Sequence, residues 1–268
     1  MSTSRVAVVT GAGRGIGRAV VWRLAADGWS VIAIDAGEAR HDLEALLGYR
    51  LAGPEDLAET VRGAPAGAPV YAVTADVRDR SALTAAVADG VARYGRLDGA
   101  VAAAGVIAGG QPLWETEAPI QAALVEVNLT GVANLAAATI PGMLRRPAPR
   151  AGRFVAIASA AAHRGLFSLA AYCGSKAGCV GLVRGLAADL RGTGVTANVV
   201  SPGSTKTDML TRTAELYDLP SAAPFADQAM LARLLEPAEV AAVIGYLCSP
   251  ASSAMTGAVV PADAGLTA

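Results

Sequence analysis

Lysine is nearly missing from this chain. Of 22 basic residues only two, Lys176 and Lys206, are lysine. Arginine serves nearly every basic need, so a position that keeps lysine is a candidate for chemistry a guanidinium cannot do, with chance as the plain alternative. Histidine is equally scarce: His41 and His163 stand far apart without ligand-like spacing, which argues against a metal site. Three cysteines, Cys173, Cys179 and Cys248, leave an odd count with no CxxC pair, the pattern of buried thiols in a reducing compartment. No basic tract or aromatic–basic interleaving occurs and the net charge is −1, so nucleic acid and membrane surfaces have no electrostatic footprint. No charged-then-apolar leader precedes the first apolar run, and Gly, Pro or charge cuts the apolar stretches short of a membrane-spanning length. A soluble, cytoplasmic protein is expected.

What is present is apolar and regular. At 268 residues and 53% hydrophobic, the chain can build one large α/β domain or two small ones around a sizeable core. Apolar runs of strand length fall at 5–10, 30–35, 70–74, 99–103, 153–159, 196–201 and 258–261. They are rich in Val, Ile and Ala and lack polar alternation, as strands covered on both faces should. Helical segments at 15–27, 81–94, 120–145, 171–191 and 237–248 alternate with them. This rhythm predicts right-handed βαβ units in a single doubly wound Rossmann domain over 1–268, with about seven parallel strands and helices on both faces. Two segments break it. The stretch around 36–53, before a helix that Pro54 would start well, makes the connection roughly fifteen residues longer than needed. The region 204–236, with Pro220 and Pro224, is expected to be a substrate loop or mobile flap. Either segment could equally be a surface excursion.

Thr10-Gly11-Ala12-Gly13-Arg14-Gly15-Ile16-Gly17 links the first strand to the first helix. Glycines there let backbone approach a pyrophosphate, whose charge the helix N-terminus favours. Asp35 ends the second strand, where an acid would accept hydrogen bonds from the adenosine ribose and repel a 2′-phosphate, favouring NAD over NADP. Two observations pull the other way: Arg14 could approach a phosphate, and Asp35 could merely cap its strand.

Tyr172 and Lys176 lie four apart near a helix start and share a face, and Ser159 ends the preceding strand, where ligands of such sheets bind. Oxidising a secondary alcohol requires loss of its hydroxyl proton, for which a tyrosine of ordinary pKa, about 10, is a poor base. A nearby ammonium and a positive nicotinamide would stabilise its phenolate. Lys176 would also hold the nicotinamide ribose, and Ser159 would align the reacting oxygen. Asn128 would hold a water relaying protons to Lys176, unless it is simply an asparagine bonding backbone inside a helix.

Together these residues resemble the short-chain dehydrogenase/reductase family along essentially the whole chain. The resemblance implies that Asp76 and Val77 contact the adenine, that Ala103, Ala104 and Gly105 flank the cofactor, and that Pro202-Gly203 shapes a turn placing Thr205 and Thr207 near the carboxamide. It also implies a homotetramer. Where the family has Asn-Asn-Ala-Gly after the fourth strand, this chain has Ala102-Ala103-Ala104-Gly105, which loses a bracing amide. The segment Gly48-Tyr49-Arg50-Leu51-Ala52, with 101–115 and 186–195, is similar to the mycofactocin-dependent subgroup. That likeness implies that the insert closes over a non-exchangeable NAD, that electrons pass to mycofactocin, and that substrates are alcohols, carveol among them. An exchangeable NAD and a catalytically silent NAD-binding protein are the alternatives. A serine hydrolase is set aside because no Gly-x-Ser-x-Gly elbow occurs.

Overall fold

The strands form because Val, Ile and Ala runs can be covered on both faces only inside a layered sheet. In the structure, a computed structural model that describes residues 4–268, seven of them pair in parallel. They are β1 (Val6–Thr10), β2 (Ser30–Asp35), β3 (Val70–Thr74), β4 (Gly99–Ala102), β5 (Arg153–Ile157), β6 (Thr196–Pro202) and β7 (Val259–Ala262). Their order is β3-β2-β1-β4-β5-β6-β7, so the winding reverses between β1 and β4. A crevice opens at such a point beyond the strand ends, and ligands bind there. The fold is the single doubly wound Rossmann-like domain that the alternation predicts.

Successive side chains of each strand feed two cores. Val8, Ile34, Ala102 and Phe154 point to one face and Val9, Ala33, Val101 and Val155 to the other. The first face is covered by α4 (Arg80–Tyr94), α5 (Ala118–Val125), α6 (Gly131–Leu144) and α7 (Ala170–Asp189). The second is covered by α1 (Gly15–Ala26), α3 (Pro54–Arg62) and α9 (Pro237–Cys248). Pro54 does begin α3, at a position where its missing N–H costs nothing.

Three expectations need correction. The helix foreseen over 120–145 is interrupted by a π-helical turn, Glu126–Thr130, between α5 and α6. Helical structure also continues through that turn, so Ala118–Leu144 is long and apolar enough to cross a membrane by length and composition. Of its most apolar window, 56% is buried inside the fold, as in a core helix of a globular protein. Finally, both irregular segments contain helices: α2 (His41–Leu47) in the insert and α8 (Asp208–Leu216) in the 204–236 region.

Candidate active site

The glycine-rich turn leaves β1 and enters α1 with its backbone pressed against neighbours. A Cβ on Gly17 would sit 2.0 Å from the Gly11 carbonyl oxygen, and one on Gly11 would sit 2.6 Å from the Ala104 backbone. No side chain fits at either position, so the turn lies directly on the end of β4. Gly13, Gly15 and Ile16 complete the turn. Its carbonyls are held from behind, because Thr60 Oγ1 donates to Ala12 O at 2.9 Å and Arg18 donates to Gly13 O at 2.6 Å. With its carbonyls bound away, the turn and the α1 N-terminus present backbone N–H groups to the crevice.

Asp35 closes the far side. Its carboxylate accepts from Gly13 N and Ala36 N, both at 2.8 Å. Burial nevertheless pushes its pKa above the ordinary carboxylate value, against the lowering effect of those two bonds. Asp76 and Val77 form the next wall. Asp76 is bound by Arg78, which reaches on to Asp42 of α2 at 2.7 Å and so ties the insert to this wall. The guanidinium holds the Asp42 carboxyl below its usual value.

At the other end Ser159 follows β5, and Tyr172 and Lys176 lie on the first turns of α7, all three lining one cavity. The Ser159 hydroxyl accepts from Ala161 N at 3.1 Å and lies near enough to the Tyr172 phenol to oppose part of the rise in its pKa. Lys176 is buried and donates to Ile157 O at 3.1 Å, its Nζ lying 6.0 Å from the centre of the Tyr172 ring. The expectation that Lys176 lowers the phenol's proton affinity is not met by this arrangement. Burial pushes the Tyr172 pKa up to about 12 and pushes that of Lys176 down, because desolvation penalises whichever form is charged.

Asn128 sits in the π-helical turn and is fully buried. Its Nδ2 donates to Val106 O and to Ser175 Oγ, each at 3.0 Å, and its Oδ1 accepts from Val106 N at 2.9 Å. The backbone it bonds is therefore the loop after β4 and not its own helix. That bond pair braces a loop which, with Ala102 and Ala103 in place of asparagine, has no side-chain amide of its own there. Gly105 lies between the two polar groups: a methyl there would come 3.3 Å from Asn128 Oδ1 and 3.3 Å from Lys176 Nζ. Asn128 and Lys176 thus face one small space.

Pro202 ends β6, and Gly203 N bonds Ala262 O at 3.1 Å. Thr205 is buried with its hydroxyl on Gly203 O, and Thr207 caps α8 by accepting from Leu210 N at 3.3 Å. Thr207 also meets the glycine turn, since a Cβ on Gly15 would lie 3.2 Å from its methyl. Every residue foreseen for the site lines this one cavity of about 750 Å³ or, like Gly13 and Asn128, holds a residue that does. Toward the Ser159 end its walls include Leu166, Phe167, Leu169, Tyr217 and Phe225.

Several contributors are not evident from the sequence. Tyr49 of the insert reaches the cavity and accepts from Ile107 N at 3.1 Å. Arg14 is not free to meet a phosphate: it donates to Asp208 Oδ2 at 2.7 Å and to Arg50 O at 2.6 Å. Thr60 and Arg18 hold the turn. One available signal was a single tyrosine inside an insert otherwise poor in large aromatics.

Known proteins are similar to this chain along nearly its whole length. A family model described as enoyl-(acyl carrier protein) reductase matches residues 11–267. A cyclohexanol dehydrogenase of a Rhodococcus strain is 36% identical, covering 98% of this chain and 96% of its own. The crystal structure of carveol dehydrogenase from Mycobacterium avium in complex with NAD is 32% identical, covers 98% of both chains and superposes with a TM-score of 0.90. An actinorhodin polyketide ketoreductase solved with NADPH is 33% identical, covers 100% of this chain and 99% of its own, and superposes at 0.88.

Proposed function

Because the chain belongs to the short-chain dehydrogenase/reductase family, and is therefore an oxidoreductase, we propose that it interconverts a hydrophobic secondary alcohol and its ketone using a tightly held NAD, reoxidised by the carrier mycofactocin. One observation carries this: Asp35, the glycine-rich turn, Ser159, Tyr172 and Lys176 line a single continuous cavity. That cavity, with an acid at one end, glycine backbone in the middle and a phenol at the other, supports binding of an extended dinucleotide.

Gly11, Gly13, Gly15, Ile16, Gly17 and the backbone of Arg14 would flank the pyrophosphate, Asp35 the adenosine ribose, and Asp76 with Val77 the adenine. Gly105, Lys176, Gly203, Thr205 and Thr207 would flank the nicotinamide end. NAD over NADP is supported by two features, the half-buried Asp35 carboxylate beside the glycine-rich turn and the engagement of the Arg14 guanidinium with Asp208 and Arg50. When bound, NAD supplies the hydride acceptor and a positive ring that favours a neighbouring anion. Ser159 would hold the substrate oxygen, and Tyr172 would take its proton during oxidation or return it during reduction. Lys176 and Asn128, facing one space beside Gly105, would carry that proton onward through water. The apolar walls support a hydrophobic cyclic alcohol over a charged acid.

A cytoplasmic location belongs to the same proposal and is supported by three unpaired thiols. A homotetramer is supported by the open space around Gly174, Gly181 and Gly185 on α7, and light scattering at four times 26.8 kDa tests it. The main test is to purify the protein through gel filtration, identify any retained dinucleotide by mass spectrometry, and assay alcohols with an artificial electron acceptor. Retained NAD and turnover without added NAD are expected. Protein free of NAD that turns over only with added NAD would overturn the retention claim, and no turnover with any alcohol would overturn the activity.

A further inference from the structure

The insert does not simply lie over the dinucleotide groove; it is fastened to the helix that walls the substrate end. Arg14, inside the glycine-rich turn, donates one amino group to Arg50 O of the insert and the other to Asp208 at the start of α8. One turn along α8, Arg212 donates to Leu47 O at 3.1 Å, and its guanidinium lies 5.8 Å from the centre of the Tyr49 ring. Tyr49 is in turn held by Ile107 N on the loop after β4. The insert thus leaves Asp35, reaches α8 at Leu47 and Arg50, and returns at Ala52 to the glycine-rich turn beside Asp35.

The same helix lines the substrate region with Met209, Leu210 and Thr213. An α8 that swings outward must pull on Leu47 and Arg50 or release them. We propose that Arg14 and Arg212 form a clasp between the insert and α8, so that dinucleotide release and opening of the substrate pocket are one motion. The clasp deepens the retained-NAD proposal and rests on it. Arg14 and Arg212 are positioning residues here, acting through the insert.

The chemistry suits a device that opens. The Arg14–Asp208 pair is partly solvated, with the Asp208 side chain 65% exposed, so it is a weak, reversible contact. Arg212 Nε is buried without an acceptor, which lowers the cost of letting that guanidinium go. A hydrophobic ligand packed against α8 should hold the clasp shut. The dinucleotide would then leave most slowly when the substrate pocket is full.

The test is the dissociation rate of NAD from loaded protein, read by mass spectrometry after dilution into isotopically labelled NAD. Asp208→Asn should speed release by about threefold and Arg212→Met by about tenfold, tenfold being the effect of about 1.4 kcal/mol. Asp208→Glu should restore the slow rate, and a saturating cyclic ketone should slow release from the wild type but not from the Asp208→Asn/Arg212→Met double variant. Release from both single variants within twofold of the wild type would overturn the clasp. If Arg212→Met does not fold, Asp208→Asn and its Glu rescue still decide. Fast release from the wild type would instead sink the retained-NAD proposal, and the variant-to-wild-type ratio would remain the measure of the clasp.

Discussion

At the scale of single residues, the proposed chemistry turns on the phenol of Tyr172. Burial pushes its pKa up to about 12 and disfavours the ammonium of Lys176, so the protein alone holds both groups away from their charged forms. In the proposed function, a positive nicotinamide ring would act against that burial effect on the phenol and so couple its basicity to cofactor binding. Tyr172→Phe should therefore lower alcohol oxidation by about 10²–10⁴-fold, the range for a lost general base, while NAD affinity stays near wild type. Steady-state rates alongside calorimetric NAD binding check this; retained turnover would assign the proton elsewhere. Asp35 offers a second check. Its pKa is raised by burial, so the carboxylate is neutralised as pH falls through a value above the ordinary carboxylate range. Repulsion of a 2′-phosphate weakens in the same direction. The ratio of NADP to NAD dissociation constants should narrow as pH falls, and a ratio independent of pH would contradict the assignment.

Among elements, strands were the most legible part of the chain. Their unbroken Val, Ile and Ala runs admit one environment, a sheet covered twice, and the observed strand ends differ from the expected ones by two residues at most. The break at Glu126–Thr130 was not legible, because Glu-Val-Asn-Leu-Thr contains neither proline nor glycine. Tertiary demand makes it: Asn128 turns to bond Val106 across the cavity floor, and π turns recur where a helix must re-aim one functional side chain. Asn128→Ala should free both Val106 backbone groups in a buried place, at a cost of about 1–3 kcal/mol each if unrepaired. Denaturant titration should show that loss together with a drop in kcat; a variant of unchanged stability and rate would leave Asn128 without the bracing role. That Ser159, Tyr172 and Lys176 meet in one cavity could be read from sequence because the chemistry proposed for them needs fixed residue types at strand and helix ends. The tethers of the insert could not, because Arg14, Arg78 and Arg212 reach backbone or carboxylate partners far off in the chain, on a surface rich in other arginines.

For the whole molecule, two buried groups make stability fall in alkali. The Cys248 thiol is pushed up to about 12 from its usual 9.0, and Tyr172 to about 12 from 10.0, both by burial. Folded-state values are raised, so the unfolded chain gives up these protons first. Their contribution to stability is whole below about pH 9 and falls as pH climbs toward 12, by about 1.4 kcal/mol per pH unit for each group between its two values, while Lys176, whose pKa is lowered, acts with the opposite sign. Cys248→Ala should make the decline shallower above about pH 9 whatever its effect at neutral pH, as denaturant midpoints across pH would reveal. An equal slope in both proteins would mean that this thiol does not couple to folding.

The most direct measurement of the central claim is a single turnover. Protein loaded with NAD is separated from free nucleotide, mixed with excess cyclic secondary alcohol and followed by the absorbance of reduced nicotinamide. Wild type should form about one reduced nicotinamide per chain, and Tyr172→Phe should form almost none on the same timescale. Equal reduction in both proteins, or none in either across a panel of hydrophobic alcohols, would contradict the account.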